Sequence, residues 1–180
     1  LAAYADANEA NAFLGVAIES GNLPDDVVAV LKRVQNDLFD VGADLCTPLQ
    51  ETYEYPPLRV KQQWIDELEA DCDSFNARLD KLRSFILPSG SPGAAHLHVA
   101  TTVVRRAERS TWAAIEAHGT DPGTAKGEGG VSTLAANYLN RLSDLLFILA
   151  RVANLDHGGD VLWQPGGGRE DKPEKAPRTD

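Results

Sequence analysis

Apolar residues return every three or four positions through five stretches of this chain, and no stretch alternates at a period of two. That spacing gathers side chains on one side of a helix, so the chain must bury several helical stripes against one another. The clearest stripe is Val60, Trp64, Leu68, Cys72, Phe75 and Leu79, which predicts a helix from about Leu58 to Leu82 with its aromatic residues in the core. Ala3, Ala7, Ala10, Leu14 and Ile18 predict an earlier helix that ends near Gly21. Val27, Val30, Leu31, Val34, Leu38, Val41 and Leu45 predict another. Pro24 opens it, with Asp25 and Asp26 at the positive end of its dipole, and Pro48 closes it. The last stripe is Leu139, Leu142, Leu145, Leu146, Leu149 and Val152, with Ser132 as a cap and an end near Asn154. Five helices on short or flexible joints predict an all-α, five-helix up-and-down bundle.

The fourth helix is predicted from Ser91 to Gly119, with Ser91 as N-cap, Pro92 in the first position and Gly119 as the stop. Ala95, Val99, Thr102, Val103, Ala107 and Ala114 offer it small or apolar packing positions. Thr101, Arg105, Glu108, Arg109 and Trp112 fall at i, i+4, i+7, i+8 and i+11, which aligns two guanidinium groups and a carboxylate. Spacing leaves two readings of that stripe. It is either a solvated face with its own ion pair, or an anion site in which arginine forks meet phosphate oxygens and Glu108 orients them.

Other polar residues carry less. Asp37, Asp40 and Asp44 share one helix at spacings of 3 and 4, a pattern that predicts a solvated or interface face rather than a metal site. His96 and His98 point to different faces and cannot chelate one metal, and His118 complements its helix's C-terminal dipole. Cys46 and Cys72 lie on separate apolar patterns and read as buried thiols. Asn140, Arg141, Asp144 and Arg151 enter a leucine-rich helix and need partners. Phe85, taken alone, reads as a core anchor.

The bundle is expected over residues 1–164, with 120–131 a flexible insertion containing four glycines and 165–180 a disordered tail rich in Pro, Gly and charge. With 180 residues at 43% hydrophobic content, one domain is the simplest organisation. A net charge of -10 argues against nucleic acid or an anionic membrane as partner, so any anion site must be local. No apolar run reaches the length of a membrane span, and a cytoplasmic location is expected. The sequence holds no methionine and opens inside a helical pattern, from which we expect residues to precede Leu1.

LHVATTVVRRAER, followed by NYLNRLSDLLFILAR, resembles the PduO-type ATP:cob(I)alamin adenosyltransferases. Their pattern is LH-x-A-R-T-x-x-RRAER and then YLNRLSD-x-LF. VQNDLFDVGADLCTP likewise resembles IQ-x-x-LFDLGADLATP, and the likeness runs from about Leu1 to Pro165. The resemblance implies a homotrimer with active sites between subunits. It implies transfer of the 5′-deoxyadenosyl group of ATP to the cobalt of cob(I)alamin, giving adenosylcobalamin and triphosphate, with Mg²⁺ accompanying ATP. By position it assigns Arg105, Arg106, Glu108, Arg109 and Asn140 to ATP, Phe85 and Trp163 to cobalamin, and Phe85 and Arg105 to catalysis. A cobalamin reductase and a B12-dependent mutase are implied as partners.

Three positions depart from the pattern: Asn8 stands for Asp, Thr101 for Arg and Ser89 for Gly. The first two are the ends of an ion pair that family trimers make between subunits, so their joint loss leaves no buried charge unpaired. The family's TRTGDxG nucleotide loop belongs upstream of Leu1, and the chain as given is expected to lack full activity. The alternative is a catalytically weakened homologue that carries cobalamin or regulates.

Overall fold

The computed structural model describes residues 1–168. Five helices follow in order: α1 (Ala2–Ser20), α2 (Asp25–Leu45), α3 (Gln62–Asn76), α4 (Pro92–His118) and α5 (Thr133–Val152). α4 packs between α1 and α5, α3 covers α5, and α2 lies against α1 and touches α5. α5 is the centre of the core, with Leu139, Leu142, Leu145, Leu146 and Leu149 fully buried. They meet Leu14, Leu31, Leu38, Leu68 and Leu97 from the other four helices. Burial of each such leucine contributes about 2 kcal/mol. Small residues line the α1 and α4 stripes instead: Ala3, Ala7, Ala10 and Ala17 on one, Ala94, Ala100 and Ala107 on the other, all buried.

Local chemistry sets the ends of α4 as its sequence predicts. The Ser91 hydroxyl accepts from the Ala94 N–H at 3.1 Å, Pro92 starts the helix, and Gly119 leaves it at φ +74°. Ser132 occupies the N-cap of α5 without a side-chain cap bond. α2 ends at Leu45, before Pro48, with the Thr47 hydroxyl donating to the Ala43 carbonyl.

α3 departs from its predicted bounds. It begins at Gln62, after an extended Lys61, because the residues before it are held by α2: the Val60 N–H donates to Asp44 Oδ2 at 2.8 Å, and Arg59 pairs with Asp44 Oδ1 at 2.5 Å. Val60 is thus buried without being helical. The 120–131 run, expected to be flexible, is tied back to the chain after α2. Leu49 N–H donates to the Gly130 carbonyl at 2.8 Å, and Gly123 N–H to the Leu49 carbonyl at 2.8 Å. Gly129, at φ +120°, is fixed there because a Cβ would strike the Leu49 carbonyl.

After α5 the chain returns along the loop that precedes α4. Ile86 and Leu162 form an antiparallel bridge, Leu87 N–H donates to the Val161 carbonyl at 2.7 Å, and Trp163 N–H donates to the Phe85 carbonyl at 2.9 Å. Residues 165–168 make a turn, and the rest of the predicted disordered tail lies outside the described residues. Among the described residues no helix is long and apolar enough to cross a membrane.

Candidate functional site

α4 has neighbours on two sides, which leaves one outer face. Val99, Thr102, Arg105, Arg109 and Trp112 occupy it, all exposed. Two predicted placements therefore change. Thr101 does not belong to the stripe: it is buried, and its hydroxyl donates to the Leu97 carbonyl at 2.8 Å. Val99 and Thr102, expected to pack inward, are at the surface, Val99 with 43% exposure. Thr101 is one position off the outward register, and its self-satisfied hydroxyl makes burial cheap.

The five residues predicted for ATP divide into two groups. Arg105 and Arg109 point outward and enter no ion pair among the described residues. Glu108 is half-buried beside them and does not bridge to either arginine. It accepts instead from Asn140 Nδ2 on α5 at 3.1 Å, so the carboxylate and the amide form one unit across α4 and α5. Arg106 stands apart, turned toward α1, where it pairs with Asp6 at 3.3 Å and with Glu9. Ser110 donates to the same Asp6 at 2.5 Å, so Arg106 belongs to a helix-to-helix tie rather than to the open stripe. Two free guanidinium groups beside a fixed carboxylate and amide can hold the oxygens of an anion and the polar edge of its attached group.

Phe85 and Trp163, the two residues predicted for cobalamin, lie together. Their rings make an edge-to-face contact with centroids 5.9 Å apart and planes at 81°. Phe85 is not the core anchor that its own sequence context suggests, since it is 78% exposed. Leu87, Val161, Leu162 and Trp163 line an adjoining groove of about 610 Å³. An exposed aromatic pair over an apolar groove suits a large flat ligand.

The two pieces sit at different levels of the bundle. Asn140 and Asn154, where the Phe85 loop is held, are about 20 Å apart along α5 at 1.5 Å per residue. Arg105 and Ser91 show the same separation along α4.

Two polar groups escaped the sequence reading, and a third, His98, packs inside the bundle. Asp44 is no solvated face: it is 2% exposed and holds Arg59 and the Val60 N–H. Asp37 accepts from the buried Tyr138 hydroxyl at 2.8 Å; burial outweighs that bond and raises its carboxyl above the usual range. His98 is buried against Phe147, and burial lowers its pKa from 6.5 despite the pull of Asp160. His96, on the other face, meets Ser20 at 3.2 Å. Of the two thiols, Cys46 is exposed, contrary to expectation, while Cys72 is buried and its pKa is pushed to about 11 by desolvation. Among the described residues no three His, Cys, Asp or Glu side chains converge as a metal site.

Known proteins share this architecture and sequence. A PduO-type ATP:corrinoid adenosyltransferase variant from Lactobacillus reuteri, solved with cobalamin and ATP, superposes with a TM-score of 0.75 at 30% identity, covering 91% of this chain and 82% of that one. The corrinoid adenosyltransferase of Mycobacterium tuberculosis is 59% identical over 169 residues, 94% of this chain and 82% of the relative. That of Bacillus subtilis is 35% identical over 165 residues, 89% and 78% respectively. Residues 1–153 match the family model described as cobalamin adenosyltransferase. The chain belongs to the cobalamin adenosyltransferase family.

Proposed function

We propose that this chain catalyses the ATP-dependent adenosylation of cobalamin, joining the 5′-deoxyadenosyl group of ATP to the cobalt of cob(I)alamin and releasing triphosphate. Family membership supports the reaction, and the relative solved with both cobalamin and ATP supports the pair of substrates. The observation that carries the assignment on this chain is the outward pair Arg105 and Arg109 beside the Glu108–Asn140 bond.

Reduced cobalt is the nucleophile, so the protein need not supply a nucleophilic Ser, Cys or His. The side chains have two tasks. Arg105 and Arg109 neutralise the triphosphate as it leaves C5′, the point where negative charge grows. Phe85 and Trp163 would give the corrin an apolar seat, with the exposed Phe85 ring set against its face. Mg²⁺ comes with ATP in this reading.

The rise of about 20 Å along the helices between the two pieces supports a site completed by a second copy of the chain, in a cyclic trimer. A cytoplasmic location, with a reductase supplying cob(I)alamin and a mutase receiving the product, completes the reading.

The test is spectral conversion of cob(I)alamin by the full-length protein with ATP. Formation of adenosylcobalamin is expected; binding of cobalamin without a new cobalt–carbon bond would make the chain a carrier. Arg105→Ala and Arg109→Ala should each raise KM for ATP about tenfold or more, the loss of a charge-assisted hydrogen bond. Arg106→Ala should leave that KM within a factor of two, because its partners are Asp6 and Glu9.

A further inference from the structure

Arg151 at the end of α5 and Asn154 just past it hold three pieces of chain. Arg151, only 7% exposed, donates from Nε to Asp160 Oδ2 at 2.8 Å and from Nη2 to the Asp80 carbonyl at 2.8 Å. Asn154, 1% exposed, accepts from the Ser91 N–H at 2.8 Å and donates to the Ser89 carbonyl at 3.1 Å. Ser91 returns a bond from its hydroxyl to the Ala153 carbonyl at 3.0 Å. Gly90, at φ +115°, lies so close that a Cβ there would collide with the Asn154 amide. Arg151 and Asn154 thus fix both ends of the loop between α3 and α4, from Asp80 to Ser91, and Phe85 stands in its middle.

Asp160 belongs to the third piece. It begins the 160–163 segment that pairs with 85–87 and brings Trp163 to Phe85. Two backbone bonds, a long bond from the Ser84 hydroxyl to the Trp163 carbonyl at 3.4 Å and one ring contact are a slender hold for exposed chain. Buried charge at its root is the strongest fixture available, since a charge-assisted bond is about twice as strong as a neutral one. Asp160 Oδ1 has no partner in this buried site, and neither has Nε2 of His98. The anchor is a single charged bond rather than a two-pronged fork, so removing one side chain releases it.

We propose that Asp160, held by Arg151, is a positioning residue for the corrin seat: it docks the C-terminal segment so that Trp163 and Phe85 form one aromatic surface. The inference rests on the adenosyltransferase reading for its ligand. Its geometry does not, and that separates the tests. The full-length protein is compared with Asp160→Ala and with Asp160→Asn, which keeps an acceptor oxygen.

Without ligand, hydrogen exchange at the Leu87 and Trp163 amides should speed up about tenfold or more in Asp160→Ala, with the α5 core amides unchanged. Asp160→Asn should recover much of that protection. In the adenosylation assay Asp160→Ala should raise KM for cobalamin about tenfold, as expected for one lost charge-assisted bond, while KM for ATP stays within a factor of two. Unchanged exchange at both amides overturns the proposal, and so does an equal rise in both KM values, which a merely structural role would give. If the parent protein forms no adenosylcobalamin, the reaction assignment fails, and the exchange data still decide whether Asp160 docks the segment.

Discussion

Asp44 shows what a single side chain does to this fold. It is buried, its two oxygens are taken by Arg59 and the Val60 N–H, and Arg59 also reaches the Thr47 carbonyl and the Tyr53 hydroxyl. Asp44→Ala would leave that guanidinium facing three carbonyls, those of residues 44, 47 and 48, and a hydroxyl without its counter-charge. A loss of about 3–5 kcal/mol is expected in a denaturant titration, the cost of breaking one end of a buried pair. The sequence could not disclose this, because three acidic residues at helical spacing look alike until the loop supplies a partner fifteen positions later. The thiols separate in the same way. Cys46 is exposed and Cys72 is buried with a pKa of about 11, so a thiol-reactive dye at pH 8 should modify one cysteine in the native protein and both after unfolding.

Elements were more legible than their boundaries, and the reason is the range of the forces that set them. α4 begins and ends on groups within three residues of its termini, and its limits were readable from Ser91, Pro92 and Gly119. α3 begins where Asp44 lets go of the chain, which no local pattern carries. The two serine caps offer a comparison. Ser91 caps α4 and also bonds the Ala153 carbonyl, whereas Ser132 makes no cap bond. Ser91→Ala should therefore cost about 1–2 kcal/mol and Ser132→Ala about 0.5 or less, measured by thermal or chemical unfolding. His98, between α4 and α5, adds a pH term. Burial lowers its folded pKa below the unfolded 6.5. Its contribution is complete above 6.5 and is lost as pH falls through the folded value, because the unfolded chain takes the proton first. The groups facing it are the Phe147 ring and the Asp160 carboxylate. His98→Gln should flatten the fall in stability below pH 6.5 relative to the parent.

At the scale of the whole molecule, Arg105, Glu108, Arg109 and Asn140 lie on predicted helices and Phe85 and Trp163 on the loops that flank them, but their division between two levels about 20 Å apart along the helices was not readable from motifs. A second copy must then be argued from surface. A closed ring of three needs two unlike patches on each chain, since every contact joins one patch to the other. One candidate is the outer face of α4, where Val99 and Trp112 frame the free arginines at 43% and 44% exposure. The other lies between α1 and α2, where Tyr4, Asn8, Asn11 and Phe39 line a groove and Phe39 is 69% exposed. Trp112→Glu spoils the first patch and Phe39→Glu the second. If the proposed trimer holds, the parent should sediment as three chains at micromolar concentration and each variant alone as one. Mixed together, they retain one good copy of each patch, and the pair should form a two-chain species that cannot close. A mixture that stays at one chain, or single variants that remain trimeric, would place the contact elsewhere. The mixture also reports on chemistry, because only the hybrid joins the arginines of one chain to the groove of another. Adenosylation should be absent from each variant alone and return in part on mixing, with the two-chain species as its carrier.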